Sequence, residues 1–129
     1  MKFGLSITAV ALLIAGSAIG FSGRGNAQSA PAAGETIFKQ RCAACHTVAS
    51  GAPNRVGPNL AGVVGRKAGS ATFNYSPALQ KADWVWSKAN LDRYLTAPTK
   101  MVPGTRMAAV LPNQDQRAAV IAYLAQTKK

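Results

Sequence analysis

Cys42-Ala43-Ala44-Cys45-His46 constrains this chain more than any other stretch. The chain has 2 cysteines and 1 histidine, and all of them lie in these consecutive positions. C-x-x-C-H is the attachment signature of a c-type haem. Two thiols at this spacing can each add to one vinyl group of the same haem, giving two thioether bonds. His46 follows directly, where its imidazole can reach the iron from below the ring. Other readings of the pair fit less well. A dithiol redox site expects a βαβ pattern around it, and none is visible. A zinc site needs four ligands, and no second pair of cysteines or histidines completes the set. A short-range disulfide leaves His46 unexplained.

The segment before the motif reads as a leader. Lys2 precedes an apolar stretch from Phe3 to Phe21, and small and polar residues follow up to Ala27. That is the layout of a signal peptide, with Gly25-Asn26-Ala27 as the cleavage site. An uncleaved membrane anchor is the alternative, since the stretch is near the lower bound for a span. Gly4, Gly16 and Gly20 weaken it as a stable membrane helix. Both readings put residues 28–129 outside the inner membrane, in the periplasm or anchored facing it. Haem attachment in the oxidising compartment suits that location.

Cleavage after Ala27 removes 27 of the 129 residues and leaves 102, one small domain. Lys2 and Arg24 leave with the leader, taking the formal charge from +11 to +9. Gln28 to Ala33 reads as a flexible lead-in, and residues 34–129 as the domain. No repeat, low-complexity tract or strand pattern is visible. The signals are helical and separated by Gly/Pro-rich loops, so the expected class is all-α.

The first helix is expected from about Gly34 into the haem motif, with Glu35 in its first turn suiting the helix dipole. Residues 48–69 carry Gly51, Pro53, Gly57, Pro58, Gly62, Gly65 and Gly69 and read as one long loop. A loop this long in so small a domain points to a prosthetic group on which it can pack. Ser76-Pro77 reads as an N-cap and first helical residue of a short helix ending near Ala82. Ser87 caps another, carrying Leu91, Tyr94 and Leu95 at i, i+3 and i+4, which Pro98 ends. A loop from Thr99 to Pro112 holds Met101 and Met107. Asn113 caps the last helix, with Gln116 as capping-box partner and Val120, Ile121 and Leu124 as its apolar face.

From about Gly34 to Gln126 the chain resembles the class I c-type cytochromes, the group of mitochondrial cytochrome c and bacterial cytochrome c2. The matching strings are GETIFKQRCAACHTV, GPNLAGVVGRKAG, WSKANLDRYL and PGTRM, in the family's order and spacing. The resemblance implies a small cytochrome c fold, helices and loops wrapped around one haem c held through Cys42 and Cys45. It implies His46 as one axial ligand and Met107, which closes the P-G-T-R-M run, as the other. Such His/Met ligation raises the potential. Met101 stands where the family places an aromatic residue, which implies a packing role.

Further residues carry over singly. Pro58 matches the proline whose carbonyl accepts from the haem histidine and orients it. Tyr75 and Trp86 match partners of a buried haem propionate, and Arg66 matches a nearby cation. Tyr94 and Thr105 match residues near the methionine and the other propionate. Gly34, Phe38 and Tyr123 match the crossing of the first and last helices. The chain departs from the family at Ala109, where a phenylalanine is common, at residues 108–112, where lysines often follow, and at Leu79, where an asparagine is often kept.

The implied function is single-electron transfer without enzymatic chemistry. With both axial sites filled there is no place for substrate, and Glu35, Asp83, Asp92 and Asp115 are scattered along the chain. The resemblance places Arg41, Arg55, Lys100 and Arg106 around the exposed haem edge. The expected partners of a monomer are redox proteins with acidic docking patches: a cytochrome bc1-type complex, an oxidase, a reaction centre or a dehydrogenase. A pI near 10.4 also suits nucleic acid, which export argues against. A haem enzyme or gas sensor with an open iron, and a carrier dedicated to one dehydrogenase, are the other readings.

Overall fold

The computed structural model describes residues 28–129, so the reading of Met1 to Ala27 as a leader or anchor lies outside the described residues. Five helices follow one another: α1 (Ala30–Arg41), α2 (Pro77–Gln80), α3 (Lys88–Thr96), α4 (Pro98–Met101) and α5 (Gln114–Leu124). Among the described residues none is long and apolar enough to cross a membrane. The one β-pairing among them is an isolated antiparallel bridge between Lys67 and Val85.

α1 begins earlier than expected and takes in most of the stretch read as a flexible lead-in. Only Gln28 and Ser29 of the described residues precede it. Pro31 sits in the first turn, where its fixed φ suits a helix and its missing N–H costs nothing. Ala30, Ala32 and Ala33 are the best of helix formers, and Ala33 N–H closes the first turn on Ser29 O at 3.0 Å. Glu35 consequently falls beyond the first turn, where it pairs with Lys39 at 2.7 Å.

α1 and α5 cross at contact distance. Gly34 is buried there, and a Cβ at that position would overlap the Ala119 carbonyl and press on Tyr123. One turn on, the rings of Phe38 and Tyr123 stack tilted, 5.7 Å apart. Val120, Ile121 and Leu124 carry α5 into the core beside Phe38.

The remaining caps follow the sequence. Ser76 Oγ accepts from Leu79 N–H, Ser87 Oγ from Asn90 N–H and Asn113 Oδ1 from Gln116 N–H, at 3.3, 3.1 and 3.0 Å. The segment after α3 differs. Pro98 does not simply end a helix; it starts α4, so the first part of the expected Thr99–Pro112 loop is helical. Ala97 breaks α3 with φ −157°, and proline then restarts the backbone with Val102 N–H closing on Pro98 O at 2.8 Å.

Residues 48–69 hold no helix, as expected, but side-chain amides knit them together. Asn59 Nδ2 donates to Ala49 O and Ala52 O, both at 2.8 Å, while its Oδ1 accepts from Ala61 N–H at 2.6 Å. Asn54 Oδ1 accepts from Asn59 N–H at 2.8 Å, and its Nδ2 donates to Thr72 O at 2.6 Å. Two asparagines thus supply the hydrogen bonds that a helix or sheet would otherwise give this backbone.

Candidate functional site

The cysteine motif is a tight turn that follows α1 and does not continue the regular helix. Phe38 O accepts from both Cys42 N–H and Ala43 N–H, at 2.8 and 2.9 Å. Cys42 O in turn accepts from Cys45 N–H and His46 N–H, at 3.0 and 2.9 Å. The Ala43 bond spans five residues, a π-type widening of the helix end, and the Cys45 bond spans three, a tighter 3-10 turn, so the motif leaves regular α-helical geometry on both counts. Both thiols are free of disulfide, Cys42 half-buried and Cys45 exposed. Burial pushes the Cys42 thiol up, opposed in part by the Arg41 guanidinium, so the group stays protonated at neutral pH.

His46 is fixed from the next loop. Its Nδ1 lies 2.8 Å from Pro58 O, so Nδ1 carries the proton and Nε2 keeps its lone pair. Burial lowers the imidazole pKa and the Pro58 bond only partly restores it, which favours the neutral, ligating form. Gly57 makes the approach possible, since a Cβ there would collide with the imidazole ring. Gly57 N–H donates to Cys45 O at 2.8 Å, and the Arg55 guanidinium to Ala43 O at 3.0 Å. The 55–58 turn is therefore clamped onto the motif at three places.

Met107 lies on the strap between α4 and α5. It is half-buried and packs against the core, as does Met101 at the end of α4. The Thr105 and Tyr94 hydroxyls are 2.6 Å apart, and Met107 N–H donates to Thr105 Oγ1 at 3.4 Å. Tyr94 packs edge-on to buried Trp86, with ring centres 4.9 Å apart. Burial raises the Tyr94 pKa, opposed by the Thr105 bond. Four of the carried-over residues, Trp86, Tyr94, Thr105 and Met107, thus form one connected chain of contacts.

Tyr75 and Arg66 are near enough to interact electrostatically. Tyr75 is buried, and burial raises its pKa against the opposing charge of Arg66. Arg66 itself donates to Ala61 O and Asn59 O, both at 3.1 Å, so the asparagine-knit loop orients its guanidinium. Leu79 is buried and puts an apolar side chain where the family often keeps a polar one. Arg41, Arg55, Lys100 and Arg106 are exposed, as is Ala109.

Two contributors escaped the reading of the sequence. Gly57 is one of many glycines in its loop, and only its place beside Pro58 marks it. Arg117 lies at i−3, i−4 and i−7 from Val120, Ile121 and Leu124, a cation on the apolar face of α5, and is 7% exposed.

The donor set suits a covalently held haem. It offers two free thiols, a neutral imidazole with its Nε2 lone pair available, and a half-buried thioether. No three His, Cys, Asp or Glu side chains gather among the described residues, so they form no cage for a bare metal ion. The comparison with known proteins is decisive: the sequence profile of cytochrome c matches residues 31–128. The chain belongs to the cytochrome c family. It is 48% identical to cytochrome c2 of Rhodoblastus acidophilus over 100 residues, which cover 76% of this chain and 92% of that protein. Cytochrome c2 of Rhodomicrobium vannielii is 44% identical over 119 residues, 91% and 94% of the two chains. Cytochrome c of Ginkgo biloba is 44% identical over 98 residues, 74% and 87% of the two. This cytochrome has the small all-α fold of its family and binds haem c covalently through its two cysteines. It is an electron carrier and not an enzyme.

Proposed function

We propose that this cytochrome is a periplasmic single-electron shuttle with His46 and Met107 as axial ligands, working between respiratory or photosynthetic redox proteins. The observation that carries it is the His46–Pro58 contact. A carbonyl 2.8 Å from Nδ1 fixes the tautomer and leaves the Nε2 lone pair free to bind a metal. The bound haem supplies a one-electron Fe(II)/Fe(III) couple. The chain's residues do the rest. His46 and Met107 would both hold the haem iron, which would leave no open site for a substrate. Tyr75, Trp86 and Arg66 would neutralise and hydrogen-bond a propionate of the bound haem, and Tyr94 with Thr105 steadies the strap near Met107. The names of the two bacterial relatives, cytochrome c2, support the shuttle reading. The sequence of residues 1–27 supports export.

The test is the optical spectrum of the ferric holoprotein, scanned for the weak long-wavelength band of a methionine-sulfur–iron bond. Wild type and Met101→Ala are expected to show it, and Met107→Ala to lack it. A wild type without the band whose reduced form binds carbon monoxide readily has an open iron, and the shuttle reading then gives way to an enzyme or sensor. N-terminal sequencing of the protein from periplasmic extract tests the cleavage after Ala27.

A further inference from the structure

Arg117 is unusual for a cation of so small a protein. It stands at the start of α5 among apolar side chains and is 7% exposed. Its Nε donates to Asp92 Oδ1 on α3 at 2.7 Å. Its Nη1 donates to two backbone carbonyls of the strap, Leu111 O at 3.0 Å and Pro112 O at 2.7 Å. Leu111 N–H meanwhile donates to Leu95 O on α3 at 2.8 Å. Both backbone groups of Leu111 are thus fixed, one directly to α3 and one through Arg117 to α3.

At the other end the strap is pinned by the Thr105–Tyr94 bond, again on α3, and by Arg106 donating to Asn74 O at 2.8 Å. Met107 lies between the two pins, and Ala108, Ala109 and Val110 beside it are exposed. Ala108 to Val110 add little packing, so local opening of this stretch is resisted by the buried Leu111 side chain and by the pins that hold the Leu111 backbone in place.

We propose that Asp92 and Arg117 are a positioning pair for Met107. They fix the far end of the strap and so keep the thioether at the site. The inference rests on the ligation by Met107 proposed above. The pair works as a unit because a buried guanidinium needs its carboxylate. Without Asp92, the uncompensated charge turns toward solvent and releases the Leu111 and Pro112 carbonyls. Without Arg117, the same carbonyls lose their donor. The side chain of Asp92 is 44% exposed and that of Arg117 9%, so the acid can be changed without opening the core.

The experiment uses ferric holoprotein as wild type, Asp92→Asn, Arg117→Lys, the double variant, and Asp83→Asn as control. Asp83 pairs with Lys67 at 3.1 Å on the exposed surface. Each is titrated with imidazole, which competes with Met107 for the iron, and separately unfolded in denaturant. Loss of one charged hydrogen bond that holds the strap shut tightens imidazole binding roughly tenfold in either single variant. The double variant binds imidazole about as tightly as the singles, since the two act together. Asp83→Asn leaves imidazole affinity unchanged. If Arg117→Lys fails to fold, Asp92→Asn alone decides. Unchanged imidazole affinity in Asp92→Asn, with the sulfur–iron band present in wild type, overturns the pair's role whatever the denaturation midpoint does. A wild type without that band overturns the ligation itself, so the two failures are distinguishable.

Discussion

Gly57 shows how a single missing side chain can set the position of a ring. The His46 ring occupies the space that a Cβ at this position would need. Gly57→Ala must therefore push the imidazole away from Pro58 or shift the 55–58 turn. Overpacking of this kind costs about 1–3 kcal/mol. The expected result is a lower denaturation midpoint together with an altered ferric spectrum; a normal spectrum would show that the turn yields and the ring does not. Tyr75 gives a pH dependence at the same scale. Burial holds its hydroxyl above the ordinary 10.0, so the folded state binds that proton more tightly than the unfolded chain does. The stabilisation is complete below pH 10, and it is lost as pH rises through the higher folded value. Denaturation midpoints measured across that window should fall in wild type and fall less in Tyr75→Phe. Site roles for Pro58, Tyr75 and Tyr94 came only through resemblance, and nothing in the sequence marked Gly57 beyond its being one loop glycine among several. Its role depends on which ring packs against it, a fact of tertiary contact that one residue type among 12 glycines does not carry.

At the scale of elements, the starts of α2, α3 and α5 were legible because Ser76, Ser87 and Asn113 use their own side chains to satisfy nearby backbone donors. That chemistry is local, so it is written locally. α1 has no side-chain cap bond at Ser29, and its early start rests on proline and alanines that also suit a disordered tail. α4 was missed because proline both stops one helix and starts another. The crossing of α1 and α5 makes a sharp prediction. Gly34→Ala places a methyl group on the Ala119 carbonyl, a backbone atom that cannot rotate aside. The two helices must separate, weakening the Phe38–Tyr123 stack as well. A loss of about 3 kcal/mol is expected, at the upper end for overpacking. Chemical denaturation followed by helical circular dichroism measures it, and a loss below about 1 kcal/mol would mean that the crossing absorbs the methyl without separating.

The charge of the whole molecule is lopsided, +11 with 15 basic and 4 acidic residues. Three of the four acids are already engaged, Glu35 with Lys39, Asp83 with Lys67 and Asp92 with Arg117. The field beyond the surface is therefore almost entirely that of the unpaired cations, among them exposed Arg41, Arg55, Lys100 and Arg106. Composition alone showed the sign of this field but not its pattern, because pairing and exposure are settled only when the chain folds. Its consequence can be separated from any particular partner by using small redox complexes of opposite charge. An anionic iron complex is drawn in by the field, so its electron-transfer rate with the holoprotein should fall as salt is added. A cationic ruthenium complex is repelled, so its rate should rise. Between 0.01 and 0.15 M salt the screening length shrinks from about 30 to about 8 Å, enough to remove most steering across a protein of this size. A change of about tenfold or more for the anionic complex, measured by stopped flow, is expected within the range for steered association. Equal and weak salt dependence for both complexes would mean that the cations lie too far from the point of electron entry to guide it. Docking to acidic partners would then have to rest on shape and apolar contact at the exposed Ala108–Val110 edge.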